Sequence, residues 1–128
     1  MIFVDSSYFI AVARKKDQWH ERAKEIYDKL DEDLIVSDLV VSESVTSVGA
    51  ISGGKEGRAV YDYILDNCRV VYTDKKMLDR AIEVYLTYDG TLSLADAVSL
   101  VVMEDHSVRR ILSFDSDYDK VKDIARIA

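Results

Sequence analysis

The sequence predicts an α/β fold built on a short, mainly parallel sheet, and three observations carry that prediction. Short apolar runs of the kind that form buried strands recur at Ile2-Phe3-Val4, Leu34-Ile35-Val36, Arg69-Val70-Val71-Tyr72 and Arg110-Ile111-Leu112-Ser113-Phe114. Segments with helical apolar spacing separate them, so the connections are crossovers and neighbouring strands run parallel. Proline is absent, so glycine and polar clusters punctuate the chain, most clearly at Ser52-Gly53-Gly54 and Asp89-Gly90-Thr91.

The elements follow in order. After the first strand, Ser7 to Arg14 reads as a short helix. Trp19, Ala23, Ile26, Tyr27 and Leu30 then fall on one helical face, which places Trp19 at the start of an apolar stripe and favours core or interface packing for it over the alternative that Trp19 and the tyrosines stack on nucleobases. The second strand is followed by Ser37 or Asp38, either of which caps a helix running to about Ala50. Glu56 to Asn67 is helical, with Val60, Tyr63 and Ile64 aligned. Thr73 or Asp74, after the third strand, caps a helix through about Tyr88 with Leu78, Ala81, Ile82 and Tyr85 on one side. Ser93 opens a helix that is apolar nearly all round (Leu94, Ala97, Val98, Leu100, Val101, Val102) and therefore buried. The fourth strand ends at Asp115, and Ser116 to Asp123 is read as helical. Gly53-Gly54 matches neither a phosphate loop nor a dinucleotide fingerprint and reads as a helix end.

Composition limits the function. The 128 residues suit one domain spanning 1–128, with 48% hydrophobic and 32% charged residues, enough for a core and a well-solvated surface. One cysteine, Cys68, excludes an internal disulfide and a four-cysteine zinc site, and it reads as a small buried side chain. No basic leader precedes Asp5 and no apolar stretch approaches a membrane span, so a soluble cytoplasmic protein with no membrane contact is expected. A net charge of −7 argues against a surface that coats nucleic acid nonspecifically. It leaves room for an enzyme that uses an acidic, metal-loaded pocket beside a small basic patch; Lys15-Lys16, Lys75-Lys76 and Arg109-Arg110 are the basic pairs, each also readable as solvated surface. His20 and His106 are far apart in sequence and fit no metal-ligand spacing.

Function in open parallel sheets gathers outside the carboxyl ends of the strands. That rule points to Asp5 and Asp115. With Glu43 and Asp96 they form a set of four carboxylates, each in an apolar or small-residue setting. Buried carboxylates are costly unless paired, hydrogen-bonded or metal-bound, and four together repel; a hard divalent cation resolves the conflict. Each residue also has a plainer role. Asp5 is placed to cap the helix near Ser7, Asp96 lies three residues after Ser93 in a capping box, Glu43 fits a solvated helix face, and Asp115 fits a polar turn. A calcium-binding EF-hand loop at Asp115 is excluded, because its sixth position is Lys120 and its twelfth Arg126.

The segments Ile2-Phe3-Val4-Asp5-Ser6-Ser7, Ser42-Glu43, Leu92-Ser93-Leu94-Ala95-Asp96-Ala97 and Ile111-Leu112-Ser113-Phe114-Asp115-Ser116-Asp117-Tyr118 together resemble the signature segments of the PIN-domain family, and in size and spacing its VapC-like toxins. Asp17 and His20 also match a common VapC-like pattern. The resemblance spans Met1 to Asp119. It implies a three-layer α/β/α fold and a magnesium- or manganese-dependent endoribonuclease. In that reading Asp5, Glu43, Asp96 and Asp115 are the acidic catalytic set, and Asp5, Asp96 and Asp115 ligate the metal. Ser6, Ser113 and Asp117 support them from behind. The resemblance also implies an RNA substrate, a small antitoxin partner and a homodimer. Two departures stand out: serine at position 113, where threonine is common, and a short C-terminus, Ile124-Ala125-Arg126-Ile127-Ala128, without the proline-containing tail that accompanies the family's last strand.

Other functions share these features. A housekeeping RNA-processing nuclease would keep the site without toxicity, and a non-catalytic scaffold would bind RNA or protein without turnover. A receiver-like signalling domain also gathers aspartates around magnesium, but it pairs acidic residues after its first strand and carries a lysine after a late one. Here two serines follow Asp5, and the late strand ends at Asp115.

Overall fold

The computed structural model describes residues 1–128 and contains five strands, six α-helices and one 3₁₀ turn. Chain order is β1 (Ile2–Val4), α1 (Ser6–Ala13), α2 (His20–Lys29), β2 (Leu34–Ser37), α3 (Asp38–Ser52), α4 (Gly54–Asn67), β3 (Cys68–Val71), α5 (Lys75–Thr87), α6 (Leu94–Asp105), β4 (Arg110–Leu112), the 3₁₀ turn Ser116–Lys120, and β5 (Ala125–Ile127). The strands form one sheet in the order β3-β2-β1-β4-β5, and every pairing is parallel. The expected α/β/α arrangement with a parallel sheet is the one found.

The sheet is fully buried where the sequence is most apolar. Ile2, Phe3, Val4, Ile35, Val36, Ile111 and Leu112 are all nearly inaccessible, as expected for strands covered on both faces. Helices α1–α4 pack against one another. Helix α5 packs with α6, and the right-handed rule for parallel crossovers, applied to this strand order, puts the pair on the opposite face of the sheet. Helix α6 is buried from Ala97 to Met103, in keeping with its apolar circumference.

Several boundaries differ from expectation, each for a local reason. The glycine cluster between the third and fourth helices collapses to one linking residue. Gly53 takes φ +95°, a left-handed value that a side chain would resist, and it both ends α3 and starts α4. The two helices then lie close together: a Cβ on Gly57 would meet the Val45 carbonyl oxygen at 3.1 Å and the Gly49 Cα at 3.3 Å. Strand β3 starts at Cys68, which is half-buried at the sheet edge instead of sealed in the core. The stretch after Asp115 forms only a single 3₁₀ turn.

A fifth strand exists despite the short C-terminus. Ala125–Ile127 pairs with β4 through Arg110↔Ala125, Ile111↔Arg126 and Leu112↔Ile127. The charged middle residue hides this strand in the sequence. The Arg126 guanidinium is held by both carboxylate oxygens of Asp119 and by the Ser113 carbonyl oxygen at 3.2 Å. Of the two placements expected for the Trp19 indole, core or interface, the core is not the one found. The indole is 42% exposed and outside the core, at the N-cap position of α2.

Candidate active site

The chain winds outward from β1 to β2 to β3, then returns to the other side of β1 to lay down β4. The order therefore reverses between β1 and β4, and their carboxyl ends flank the crevice where open parallel sheets bind ligands. Asp5 follows β1 and Ser113 follows β4 at that point. The Asp5 amide continues the ladder by donating to the Leu112 carbonyl oxygen at 3.0 Å.

Asp5 occupies the N-cap position of α1, yet its side chain makes no capping hydrogen bond. Two hydroxyls claim it instead. Ser7 Oγ and Ser113 Oγ each donate to Asp5 Oδ2 at 2.8 Å. Those hydroxyl oxygens in turn accept backbone amides, Ser7 from Phe114 at 3.0 Å and Ser113 from Asp115 at 3.0 Å. One carboxylate oxygen is thus pinned inward by a network joining the start of α1 to the end of β4, and Oδ1 takes no side-chain bond. Asp5 is only 7% exposed. Burial pushes its carboxyl above the usual carboxylate range, the Ser113 and Ser7 hydroxyls pull it back down, and the charges of Asp96 and Glu43 add to the rise.

Asp96 does what its spacing foretold and more. The capping box with Ser93 is formed in both directions, with Asp96 N donating to Ser93 Oγ at 3.0 Å and Ser93 N donating to Asp96 Oδ2 at 3.2 Å. Its other oxygen, Oδ1, accepts the Tyr118 hydroxyl at 2.8 Å. Tyr118 is fully buried, and burial together with the charges of Asp5 and Asp96 pushes its phenol far above the ordinary value, so it stays a proton donor. Glu43, on α3, is exposed, and its Oε1 accepts the Ser6 hydroxyl at 2.9 Å.

Asp5, Glu43 and Asp96 are therefore brought together. Asp115 stands further round the rim, where Oδ1 caps the 3₁₀ turn by accepting the Asp117 amide at 2.9 Å and its charge acts on Arg126. Asp117 is exposed and pairs with Lys120 at 3.6 Å, so its side chain supports no member of the acidic set. Ser6 and Ser113 both touch expected carboxylates. Sequence reasoning missed Ser7 and Tyr118 as partners. Ser7 was visible only as the second of two serines after Asp5, and Tyr118 as the lone aromatic residue in a run of acids.

The chemistry of this donor set suits a hard dication. None of the four carboxylates forms a direct ion pair, and only Asp115 has a cation, Arg126, acting on it from a distance. No three acidic, histidine or cysteine side chains close into a ready-made metal cage. That is compatible with magnesium, which keeps several waters and binds through one or two carboxylates plus substrate phosphate. Three clefts lie elsewhere, one of them, of about 400 Å³, along α4 at Arg58, Tyr61, Asp62, Leu65 and Asp66. Another, of about 470 Å³, lies between α5, α6 and the segment after the 3₁₀ turn, and one of about 280 Å³ between α1, α2 and α4. Glu43 is exposed and Asp96 and Asp115 are half-buried, so these carboxylates are reached from solvent while Asp5 is buried.

Comparison with known proteins agrees with this geometry. The PIN domain family matches residues 2–124. The structure resembles VapC20 of Mycobacterium tuberculosis, a toxin that cleaves the sarcin–ricin loop, with a TM-score of 0.86 and 25% identity over 93% of each chain. It also resembles a toxin–antitoxin complex from Klebsiella pneumoniae (TM-score 0.74, 12% identity, 100% of this chain and 97% of the other). A third likeness is FitAcB from Neisseria gonorrhoeae (TM-score 0.71, 19% identity, 100% and 97%). No curated protein sequence matches the chain.

Proposed function

The chain belongs to the PIN-domain family, and from that premise we propose that it is a divalent-metal-dependent endoribonuclease and the toxin of a toxin–antitoxin pair. One observation carries the reading: a buried carboxylate, Asp5, without a cation, is held in place by two hydroxyls at the sheet's switch point beside two further carboxylates. A protein tolerates such an arrangement when the charge has a use. The likeness to a toxin that cleaves the sarcin–ricin loop supports the toxin role, and the likeness to a toxin–antitoxin complex supports a small antitoxin partner.

In this reading Asp5 and Asp96 hold a magnesium or manganese ion, and Asp115 adds to the set from the rim. When bound, the ion supplies Lewis acidity toward phosphate and a lowered pKa for a coordinated water. The protein's own groups do the positioning. Ser7 and Ser113 fix one oxygen of Asp5 and leave Oδ1 to face the site. Ser93 and Tyr118 fix Asp96 from two directions. Glu43, anchored at Oε1 by Ser6, keeps Oε2 available to orient the attacking water and accept its proton. The proposal includes one domain over residues 1–128, a homodimer, and a cytoplasmic location where its RNA substrate resides. No helix is long and apolar enough to cross a membrane.

The test is purified protein, free of antitoxin, incubated with structured RNAs in magnesium or manganese, with and without chelator, beside Asp96→Asn. Chelator-sensitive cleavage that Asp96→Asn loses supports the enzyme. Its absence across a broad RNA panel favours the non-catalytic scaffold. A neighbouring antitoxin gene separates the toxin from a housekeeping nuclease.

A further inference from the structure

A large aromatic surface flanks the acidic rim and takes no part in the chemistry above. The Trp19 indole lies flat on the Phe114 ring, with centroids 5.2 Å apart and planes 1° from parallel. Phe114 is 8% exposed, whereas Trp19 is 42% exposed. The indole therefore rests on a fixed hydrophobic backing and leaves much of its surface to solvent. Its backbone is fixed as well. Trp19 N donates to Asp17 Oδ1 at 2.8 Å, Asp17 N to Arg14 O at 3.0 Å, His20 N to Asp17 O at 3.0 Å, and Ala23 N to Trp19 O at 2.8 Å. An aromatic ring held in this way gives up little conformational freedom when a second flat group stacks on it.

Its place in the fold says what that group is. Phe114 lies between Ser113, which holds Asp5, and Asp115, and its amide is bonded to Ser7, the other hydroxyl on Asp5. The stack is thus bolted to the same backbone that positions the carboxylates. Lys15 and Lys16, exposed and in no ion pair, sit in the loop leading to Trp19 and offer charge for phosphates. Exposed aromatic rings beside unpaired cations form the recurring surface for single-stranded nucleic acid, where bases stack and the backbone meets positive charge.

We propose that Trp19, backed by Phe114, is a base-stacking subsite that receives an unpaired nucleobase of single-stranded RNA next to the acidic site. The proposal rests on the ribonuclease reading. It implies a preference for loops and single strands over duplex, because a base inside a duplex offers no free face.

Trp19 is the only tryptophan in the chain, so its fluorescence reports on this site alone. A short, end-labelled single-stranded RNA is titrated into the protein in chelator, and anisotropy and tryptophan emission are followed together. The expected result is saturable quenching that tracks the anisotropy, with no quenching by an abasic strand of equal length and charge. Trp19→Ala is expected to weaken binding roughly 5- to 100-fold, the range a single base–aromatic stack supplies, and Trp19→Phe to weaken it less. RNA that binds without altering the emission of the unmodified protein, or equal quenching by the abasic strand, overturns the subsite and leaves the nuclease reading standing. An unmodified protein that neither binds nor cleaves RNA overturns the nuclease reading and the subsite with it. Because the quenching is read on the unmodified protein, a Trp19→Ala chain that fails to fold does not remove the test.

Discussion

Removing the Ser113 hydroxyl probes the whole candidate site with one atom. Ser113 is completely buried, donates to Asp5 Oδ2 at 2.8 Å and accepts the Asp115 amide at 3.0 Å. A hydrogen bond to an ionised acceptor contributes about 1.5–3 kcal/mol, and leaving the Asp115 amide without its acceptor costs about 1 kcal/mol more. Ser113→Ala should therefore destabilise the metal-free protein by about 3 kcal/mol, a loss a domain of typical stability (about 5–15 kcal/mol) survives. Urea unfolding in chelator would show it as a midpoint lowered on the order of 1–3 M, given slopes of about 1–3 kcal/mol per molar. The same substitution frees the Asp5 carboxylate to turn, and removing a partner that orients a ligand typically weakens metal affinity about 10- to 100-fold. Manganese titration followed by electron paramagnetic resonance measures this directly. Ser113→Thr keeps the donor, so its manganese affinity should stay close to that of the unmodified protein even where the extra methyl group costs stability. A Ser113→Ala protein that loses less than about 0.5 kcal/mol and binds manganese as tightly as before would refute the idea that this hydroxyl holds the carboxylate.

Three further outcomes follow from the same geometry. Asp5→Asn should make the chelated protein more stable at pH 7. The Asp5 carboxyl is raised in the folded state, mainly by burial, so its contribution to stability is fully present below the ordinary carboxylate value of 3.8 and is lost as pH rises through the folded value. The advantage of Asp5→Asn should then shrink as pH falls toward 4, and a gap that widens on acidification in thermal melts would contradict the sign. Tyr118→Phe removes only the donor to Asp96 Oδ1 and should weaken manganese binding about 10-fold in the unmodified background, with no further effect in Asp96→Asn, a non-additivity that a double-mutant cycle reads. Gly57→Ala should destabilise by about 1–2 kcal/mol, because its Cβ would press on the backbone of Val45 and Gly49 by more than the improved helix propensity offsets; an unchanged urea midpoint would show that α3 and α4 separate freely.

Four strands and six helices were legible because each carries its own pattern, a short apolar run or a stripe at helical spacing. Strand β5 was not, since a three-residue segment centred on Arg126 has no apolar signature and exists only through its partners on β4 and Asp119. The candidate site was half legible. Asp5 could be read as a helix cap or as a functional carboxylate; its side chain does not cap α1, because Oδ2 accepts the Ser7 and Ser113 hydroxyls instead of the α1 amides. Asp96 does both things at once, one oxygen capping α6 and the other meeting Tyr118. Sequence spacing cannot reveal a hydroxyl whose partner lies 107 residues away, as Ser7 and Phe114 do. Trp19 lies on the apolar stripe of α2, but the stripe meets its end there, and the indole turns outward onto Phe114.

The bond from Ser113 to Asp5 spans 108 positions of the chain, and the strand that delivers Ser113 lies beside the one made first. Synthesis on the ribosome proceeds from Met1, so β1 emerges with one edge unpaired and waits for most of the protein to appear before β4 can join it. Parallel pairing across so long a separation is slow to close. A nascent or prematurely terminated polypeptide that stops short of β4 consequently has Asp5, Glu43 and Asp96 but only Ser7 of the two hydroxyls that hold the first carboxylate. The candidate site is completed in one late step, with the segment from Arg110 onward, and fragments left by interrupted translation or proteolysis should lack it.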